Sequence, residues 1–503
     1  MGRSALIGLF ILSKAWTQPL PNIDWFPIPN VKGNSQIIGF YKYPEPGWEL
    51  WLQPSIGYHS IWRIGLQPDA TPSKIFHATP KHGNYGVERF QWVPLAWGNH
   101  LDFSLFQIYR PAQHNLSIYL QPHGEGEKPM LVFSLSAQPT ERKGWIYAIP
   151  HPKGTGIFHL NAQKNRLRFS LVDSTYSVLQ TDDWNMEEAL DIDGGGFGFF
   201  QDENTLVIYG LSDESQRFVP RKKRASFHFI QYHFWLDRRS PSFDRDTVYF
   251  PSLSLKKVQV IADLGVIHGF EKEKPEKPTW SLRLTSATFP NGIWWNTPFL
   301  APTPSVVQSP HVPTETLEDS YFHVSGSRYF PEDSSWLVVG SFQYQGDLCY
   351  MDSRSTRIHC TPYHWAHHIH AAKFSEQGEV LWSIEIPRQQ LLTPYVWGSA
   401  AGEWVWNVKG LTYLFWNESP ENIGKNKPQW VHTDPDRSQV RFVAIGPKGI
   451  VRQGSLPLIK KQPAILPAYC FATDSIAWLA GARKQKIFAG QLLQINRLNT
   501  KGQ

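Results

Sequence analysis

Apolar and polar positions alternate along this chain with a period of two, in runs that seldom exceed ten residues. The clearest run is His367 to Gln390. There Ile369, Ala371 and Lys373 alternate with His370, Ala372 and Phe374, and Val380, Trp382, Ile384 and Ile386 then recur at every second position. Ser375-Glu376-Gln377-Gly378 between the two halves supplies polar residues and a glycine for a reversal, and Pro387 removes a backbone donor at the end. The stretch predicts a β-hairpin. Similar runs occur at Gln36 to Tyr43, Trp48 to Gln53, His59 to Leu66, Leu101 to Tyr109, Ser335 to Tyr344, Gly410 to Trp416 and Gln439 to Ile445, each bounded by Pro, Gly, Asn or Asp. They predict a meander of short strands. A helical pattern is confined to Asp183 to Leu190, DWNMEEAL, with Asp183 as cap and Glu187 and Glu188 in the early turns.

Composition supports this reading. Aromatics make up 14% of the 503 residues, beside 37 Gly and 39 Pro, a proline density that would break long helices but suits strands and turns. The expected fold class is all-β. At the amino terminus, Arg3, an apolar run from Ala5 to Leu12 and small residues at Ser13, Ala15 and Thr17 have the layout of a signal peptide, residues 1–17, too short to span a bilayer as a helix. The expectation is an exported chain at the cell surface, in the periplasm or outside the cell, with no transmembrane segment of its own after signal cleavage. Residues 18–35, containing PLPNIDWFPIP, are expected to be an extended tether. Two strand-rich parts follow, 36–297 and 314–497, separated by a Pro-rich linker or strap at 298–313 that holds five prolines in sixteen residues.

A weak internal repeat runs through these parts. Aromatic-Ser-Leu/Ile recurs at Phe103-Ser104-Leu105, Phe133-Ser134-Leu135, Phe169-Ser170-Leu171, Trp280-Ser281-Leu282 and Trp382-Ser383-Ile384, and the second and third are 36 residues apart. The run AAKFSEQGEVLWSIEIP, with Gly378 four residues before Trp382, resembles the blade repeat of quinoprotein-like β-propellers. Phe442 to Leu456, with Gly449 at the turn and Gln453 in the tryptophan place, resembles it again. With the export signal, the chain is similar to secreted propeller proteins of Bacteroidota, over about residues 369–387 and 441–456. The resemblance implies a β-propeller of about seven blades. A propeller also protects the many strand edges by radial closure, and tandem β-sandwiches joined at the Pro-rich linker are the alternative. The quinone enzymes of that class carry adjacent cysteines, which this chain lacks, so the resemblance brings no cofactor with it.

Candidate chemistry is sparse. IHCTPYHWAHHIH holds His359, His364, His367, His368 and His370, and His364, His368 and His370 could supply three imidazole nitrogens to zinc or copper. Asp191-Ile192-Asp193-Gly194-Gly195-Gly196 offers carboxylates to calcium but lacks the distal ligands of a full loop, and reads sooner as a glycine-rich turn entering a strand. No cofactor is therefore predicted, with zinc or calcium as the open exceptions. Asp182/Asp183, Glu187/Glu188 and Asp244/Asp246 are available as carboxylate pairs and none stands out, while GxSxG, HExxH and phosphate-binding glycine loops are missing from the sequence. Trp294, Trp295, Trp404 and Trp406, with Trp48 and Trp51, could offer flat faces to a sugar or a protein. Cys349 and Cys360 flank a polar segment and form either a disulfide or two buried thiols, which leaves Cys470 as a small buried hydrophobe. The net charge of +6 is mild, and the basic run Arg217 to Arg224 suits a solvated loop, so nucleic acid is not an expected partner.

These features point to a non-catalytic binding or scaffold subunit that presents a propeller face to a membrane-associated protein partner at a bacterial cell surface or outer membrane. A carbohydrate-binding or carbohydrate-cleaving surface protein is the second expectation, with a glycan as ligand. A metal enzyme built on the histidine cluster is the third.

Overall fold

The computed structural model describes strands and short connections between residues 24 and 493. Residues 1–23, 213–225, 300–320, 393–400, 424–435 and 494–503, with parts of the other loops, lie outside the described residues. Among the described residues there is no α-helix, and the strands form eight antiparallel sheets.

Blade 1 comprises Gln36–Lys42, Trp48–Gln53, Ile61–Leu66 and Pro72–Ala78, and blade 2 comprises Val87–Val93, Phe103–Arg110, Asn115–Pro122 and Met130–Ser136. Blade 3 has Trp145–His151, Gly154–Asn161, Arg166–Val172 and Val178–Asn185. Blade 4 begins with a split strand, Leu190–Asp191 and Phe197–Phe200, and continues with Thr205–Ser212, Ser226–Trp235 and Ser242–Pro251. Blade 5 has Val258–Ile261, Val266–Lys272, Trp280–Ser286 and Trp295–Phe299. Blade 6 has Tyr321–Phe330, Ser335–Met351, Ile358–Ser375 and Val380–Ile386, with Gln390–Leu392 added to the third strand. Blade 7 has Trp404–Val408, Leu411–Glu418, Gln439–Gly446 and Gly449–Ser455.

Blade 8 closes the ring. Its own segments supply Ala464–Ile465 and Phe471–Ala472, then Ile476–Arg483 and Lys486–Leu493. The outermost strand comes from the other end of the chain: Asp24–Pro27 pairs antiparallel with Lys486–Leu493, with Trp25 opposite Gly490. Residues 24–27 were expected to belong to an extended tether. They form a packed edge strand on the last blade, which among the described residues has no fourth strand of its own, and Ile28 beyond them is buried against blade 1.

Consecutive blades meet through apolar clusters. One joins Leu50, Leu52, Ile64 and Leu66 of blade 1 to Trp478, Ala480 and Ile487 of blade 8. Others join blades 2 and 3, 3 and 4, 6 and 7, and 7 and 8. A strand packed between two neighbouring blades is buried on both faces, which explains why Ile369, Ala371, Lys373, His370, Ala372 and Phe374 are all buried. The hairpin predicted there is present, with Ala371 opposite Ile384 and Lys373 opposite Trp382. Gly449 lies at the predicted turn with φ of 117°. A recurrent device stiffens two blades. In blade 1 Trp51 faces Arg63, and Glu49 accepts from the Trp51 indole at 3.0 Å and from Arg63 at 2.8 and 3.1 Å. In blade 7 Trp416 faces Arg441, and Glu418 accepts from the Trp416 indole at 3.1 Å.

Other expectations change. The helix expected at Asp183 to Leu190 is not formed: Asp183 and Trp184 lie in the outer strand of blade 3, where Arg166 binds Asp183 at 2.7 and 2.5 Å and Arg168 at 2.8 Å. Cross-strand pairing outweighs a short local helical preference. The sheet count is eight, against about seven blades expected. The Pro-rich segment 298–313 lies outside the described residues except for Pro298 and Phe299, which end blade 5.

Gly481 marks the closure. A Cβ there would lie 2.5 Å from the Trp25 ring, so a larger residue must displace the closing strand. Gly481→Val is expected to cost about 1–3 kcal/mol by overpacking. Equilibrium urea unfolding, together with faster proteolysis near residue 28, checks this.

Candidate functional site

The sequence-predicted histidines converge with charged residues at the junction of blades 6 and 7. The third strand of blade 6 carries His364, His367, His368 and His370, all buried. Arg388 follows the fourth strand and is fully buried, as is the side chain of Glu403, which precedes the first strand of blade 7. Arg388 Nη1 donates to Glu403 Oε2 at 2.5 Å, and its Nε donates to the His367 carbonyl at 3.0 Å. Ser341 Oγ donates to Glu403 Oε2 at 3.0 Å, and Ser325 donates to Oε1. Ser325 sits where the register slips between Val324 and Gly326, a bulge in the first strand of blade 6. Beside it, Gly326 lets the strand approach Val405 of blade 7; a Cβ at this position would lie 2.8 Å from that side chain.

The histidines extend this seam. Gln343 Nε2 donates to Ser341 Oγ at 3.2 Å, and Gln343 Oε1 lies 3.2 Å from His364 Nε2. The Arg388 backbone N–H donates to His368 Nδ1 at 3.0 Å, which places the proton of the neutral ring on Nε2. That nitrogen faces Glu385 at 3.6 Å, and the His367 and His368 rings stand 4.0 Å apart. Burial, with Arg388 and the neighbouring histidines adding repulsion, holds His367 well below the ordinary imidazole range; His368 is lowered to about 4 by burial and Arg388, and His370 to about 3 by burial, His368 and Arg388. The rings are neutral at pH 7.

These contacts tie blade 6 to blade 7. The Glu403 carboxylate accepts from two hydroxyls of blade 6 and from the Arg388 guanidinium, which hold it in place. The metal set His364, His368 and His370 is not assembled. Among the described residues no group of three His, Cys, Asp or Glu is placed to hold a metal ion. The Nδ1 lone pair of His368 is taken by a backbone amide, and the adjacent Arg388 cation opposes a second positive charge. For the calcium segment, Asp191 pairs with Leu211 and residues 192–196 lie outside the described set.

The tryptophans divide. Trp404 and Trp406 are 6% and 3% exposed in the core between blades 7 and 8, stacked at 6.0 Å, so neither offers a ring face for binding. Trp51 is buried, and Trp48 packs on Phe471 at 4.1 Å. Trp295 lies opposite Leu284 in blade 5, and Trp294 lies outside the described residues. Cys349 and Cys360 lie directly opposite one another in one ladder. Cys470 is free and half-buried; its thiol donates to the Leu466 carbonyl at 3.4 Å, and burial pushes its pKa to about 12.

The surface shows a pattern that the sequence did not suggest. The large apolar residues exposed among the described ones are Leu131, Val178, Leu179, Val380, Leu381, Ile450 and Val451, at 40–57%. All lie in the first three residues of an outermost strand, in blades 2, 3, 6 and 7, just after the third-to-fourth hairpin. Equal strand order in each blade brings these starts to one rim. The Trp382 indole of blade 6 donates to the Pro447 carbonyl in the blade 7 hairpin at 3.0 Å, so the two rims adjoin. The order of apolar and polar residues along the outer strands could not have revealed this, because it does not say which strand is outermost in a blade.

The class defined by this architecture is an all-β propeller closed by its N-terminal strand. Among solved structures, the chain is similar to the WD40 domain of SCAP from fission yeast, at 9% identity over 94% of this chain and 98% of that one, with a TM-score of 0.38. It is also similar to prolyl oligopeptidase B from Galerina marginata, at 10% identity over 90% of this chain, with a TM-score of 0.33; the match spans 56% of that enzyme. A DUF4221 family member from Bacteroides vulgatus is matched at 8% identity over 92% and 98% of the two chains, with a TM-score of 0.23. No protein-family model and no curated protein sequence matches the chain.

Two outcomes follow from the seam. Arg388→Met alone should cost about 3–5 kcal/mol by stranding the Glu403 charge, and Arg388→Met with Glu403→Gln should recover much of it, as a double-mutant cycle in urea will show. The lowered imidazole values mean that the unfolded chain binds protons first as pH falls through about 6.5. Stability is therefore retained above that pH and lost down to about 3–4, with Arg388 opposing protonation and Glu385 facing His368. At pH 5 each of His368 and His370 should cost about 2 kcal/mol, and His370→Asn should flatten the pH dependence by that amount.

Proposed function

We propose that this chain is a non-catalytic binding or scaffold subunit that holds a partner protein on the outer rim of the propeller. The observation that carries the reading is the set of paired aliphatic residues at the starts of the outer strands, Val178-Leu179, Val380-Leu381 and Ile450-Val451. Outer strands present unpaired backbone groups, and proteins guard such edges with charge, bulges or cover. Here the edges begin instead with exposed aliphatic pairs, a surface that a partner's apolar contacts would cover. Val380-Leu381 and Ile450-Val451 belong to adjoining blades, which are joined near these strand starts by the hydrogen bond from the Trp382 indole to the Pro447 carbonyl.

The propeller itself is rigid at this place. Lys373 of blade 6 pairs with Asp333 at 2.5 Å and reaches the Pro447 carbonyl of blade 7 at 3.3 Å, so the two rims are fixed relative to one another before any partner arrives. A preorganised surface loses less entropy on binding. The carbohydrate reading is weaker because Trp404 and Trp406 are buried in the core. The place of action we propose is outside the cytoplasm, at a bacterial cell surface or outer membrane beside a membrane-associated protein, on the strength of the leader-like residues 1–17.

Untagged protein taken in mild detergent from its native membrane fraction should co-purify with a stoichiometric protein, and its mature N-terminus should lie near residue 18. Leu381→Asp with Val451→Asp should lower that recovery at least tenfold while leaving the thermal midpoint within a few degrees. Unchanged recovery in the double variant, or a free monomer from the wild type, would remove the rim reading.

A further inference from the structure

The second and third strands of blade 6 are much longer than the blade. Ser335–Met351 and Ile358–Ser375 pair continuously apart from one irregularity, yet the first strand of the blade reaches only to Gln343, and Gln390–Leu392 only to His364. From Gly346 opposite Tyr363 to Met351 opposite Ile358 the ladder continues for six residue pairs with no third strand beside it among the described residues. At the rise of an antiparallel strand this ribbon is about 20 Å long. A two-stranded ribbon without a sheet beside it is marginally stable in water.

The register supplies a remedy. Cys349 and Cys360 were expected to flank a loop; both lie within strands, at opposed positions in this ribbon. Opposed residues of an antiparallel pair have Cα atoms about 4.5 or 5.5 Å apart, depending on the hydrogen-bonding site, and share one face of the ladder. Both spacings fall in the range a disulfide accepts. The third cysteine does not compete. Cys470 is in blade 8, its sulfur held by the Leu466 and Ala480 carbonyls, and burial keeps it a thiol.

We propose that Cys349 and Cys360 form a cross-strand disulfide that clips this projecting arm of blade 6. In the forming reaction one cysteine thiolate attacks a small disulfide such as oxidised glutathione and releases one thiol. The second cysteine then displaces the other glutathione thiol from the mixed disulfide. The two cysteines are oxidised by two electrons, and one glutathione disulfide is reduced to two thiols. The clip closes a loop of about twelve residues and keeps the arm formed. Its chemistry does not depend on the rim reading; its persistence in the cell depends on export to an oxidising compartment.

The test uses the full-length chain, reduced and then equilibrated with a glutathione redox buffer, quenched in acid, alkylated under denaturing conditions and peptide-mapped. One linked peptide carrying Cys349 and Cys360, with Cys470 alkylated, is expected. Amide exchange in the arm should be about 100-fold slower in the oxidised form, the factor expected for a loop of this size. Cys349→Ser should lose that protection while the blade amides keep theirs. Alkylation of all three cysteines, linkage to Cys470, or equal arm protection in Cys349→Ser would overturn the clip. Closure in glutathione with reduced cysteines in protein thiol-trapped from its native host would leave the clip standing and count against export.

Discussion

Eight sheets of short strands would expose many edges, and the contact on which the ring depends is the pairing of Asp24–Pro27 with Lys486–Leu493. It joins residues more than 450 positions apart, so its loop-closure cost is offset by the clusters on either side. Trp25 lies over Gly481, which has no side chain to obstruct it, and Ile28 enters the core shared by blades 8 and 1. Every other blade is made of consecutive strands; only this one needs both ends of the chain.

Between blades 6 and 7 the apolar seam is interrupted by polar groups of unusual depth. A buried ion pair gains little over an apolar pair of the same volume, because desolvation offsets most of the attraction. What the Arg388–Glu403 pair contributes is position. Glu403 is held by Ser325 and Ser341 on two strands of blade 6, and Arg388 by the His367 carbonyl, so the first strand of blade 7 has one place to start. The same two blades carry Val380-Leu381 and Ile450-Val451 at the starts of their outer strands.

The strand pattern was legible where alternation and turn chemistry agree. The hairpin at Ala371 to Ile386 and the turn at Gly449 needed only local rules. The repeat was misleading for a physical reason. The aromatic-Ser-Leu/Ile triplets fall in a second strand at Phe103, third strands at Phe169 and Trp280, and fourth strands at Phe133 and Trp382, so they mark strands in general rather than one place in a blade. First strands begin at Gln36, Val87, Trp145, Leu190, Val258, Tyr321, Trp404 and Ala464, which makes successive blades 45 to 83 residues apart and hides their period. Asp183 could favour a helix locally, and two arginines on the neighbouring strand decided otherwise.

Alternating residues, a high density of proline and glycine, and many aromatics were enough to determine an all-β chain of short antiparallel strands, because those preferences act over a few residues. They also singled out the histidines and the cysteine pair. What those residues do was decided only by tertiary contacts. Burial, with Arg388 from beyond the next strand adding repulsion, made His367, His368 and His370 neutral members of the seam. Trp404 and Trp406 became core because a second blade covers them. The exposed aliphatic residues of blades 2, 3, 6 and 7 share one rim because each of those blades has the same strand order, a property of the assembled ring that no window of sequence contains.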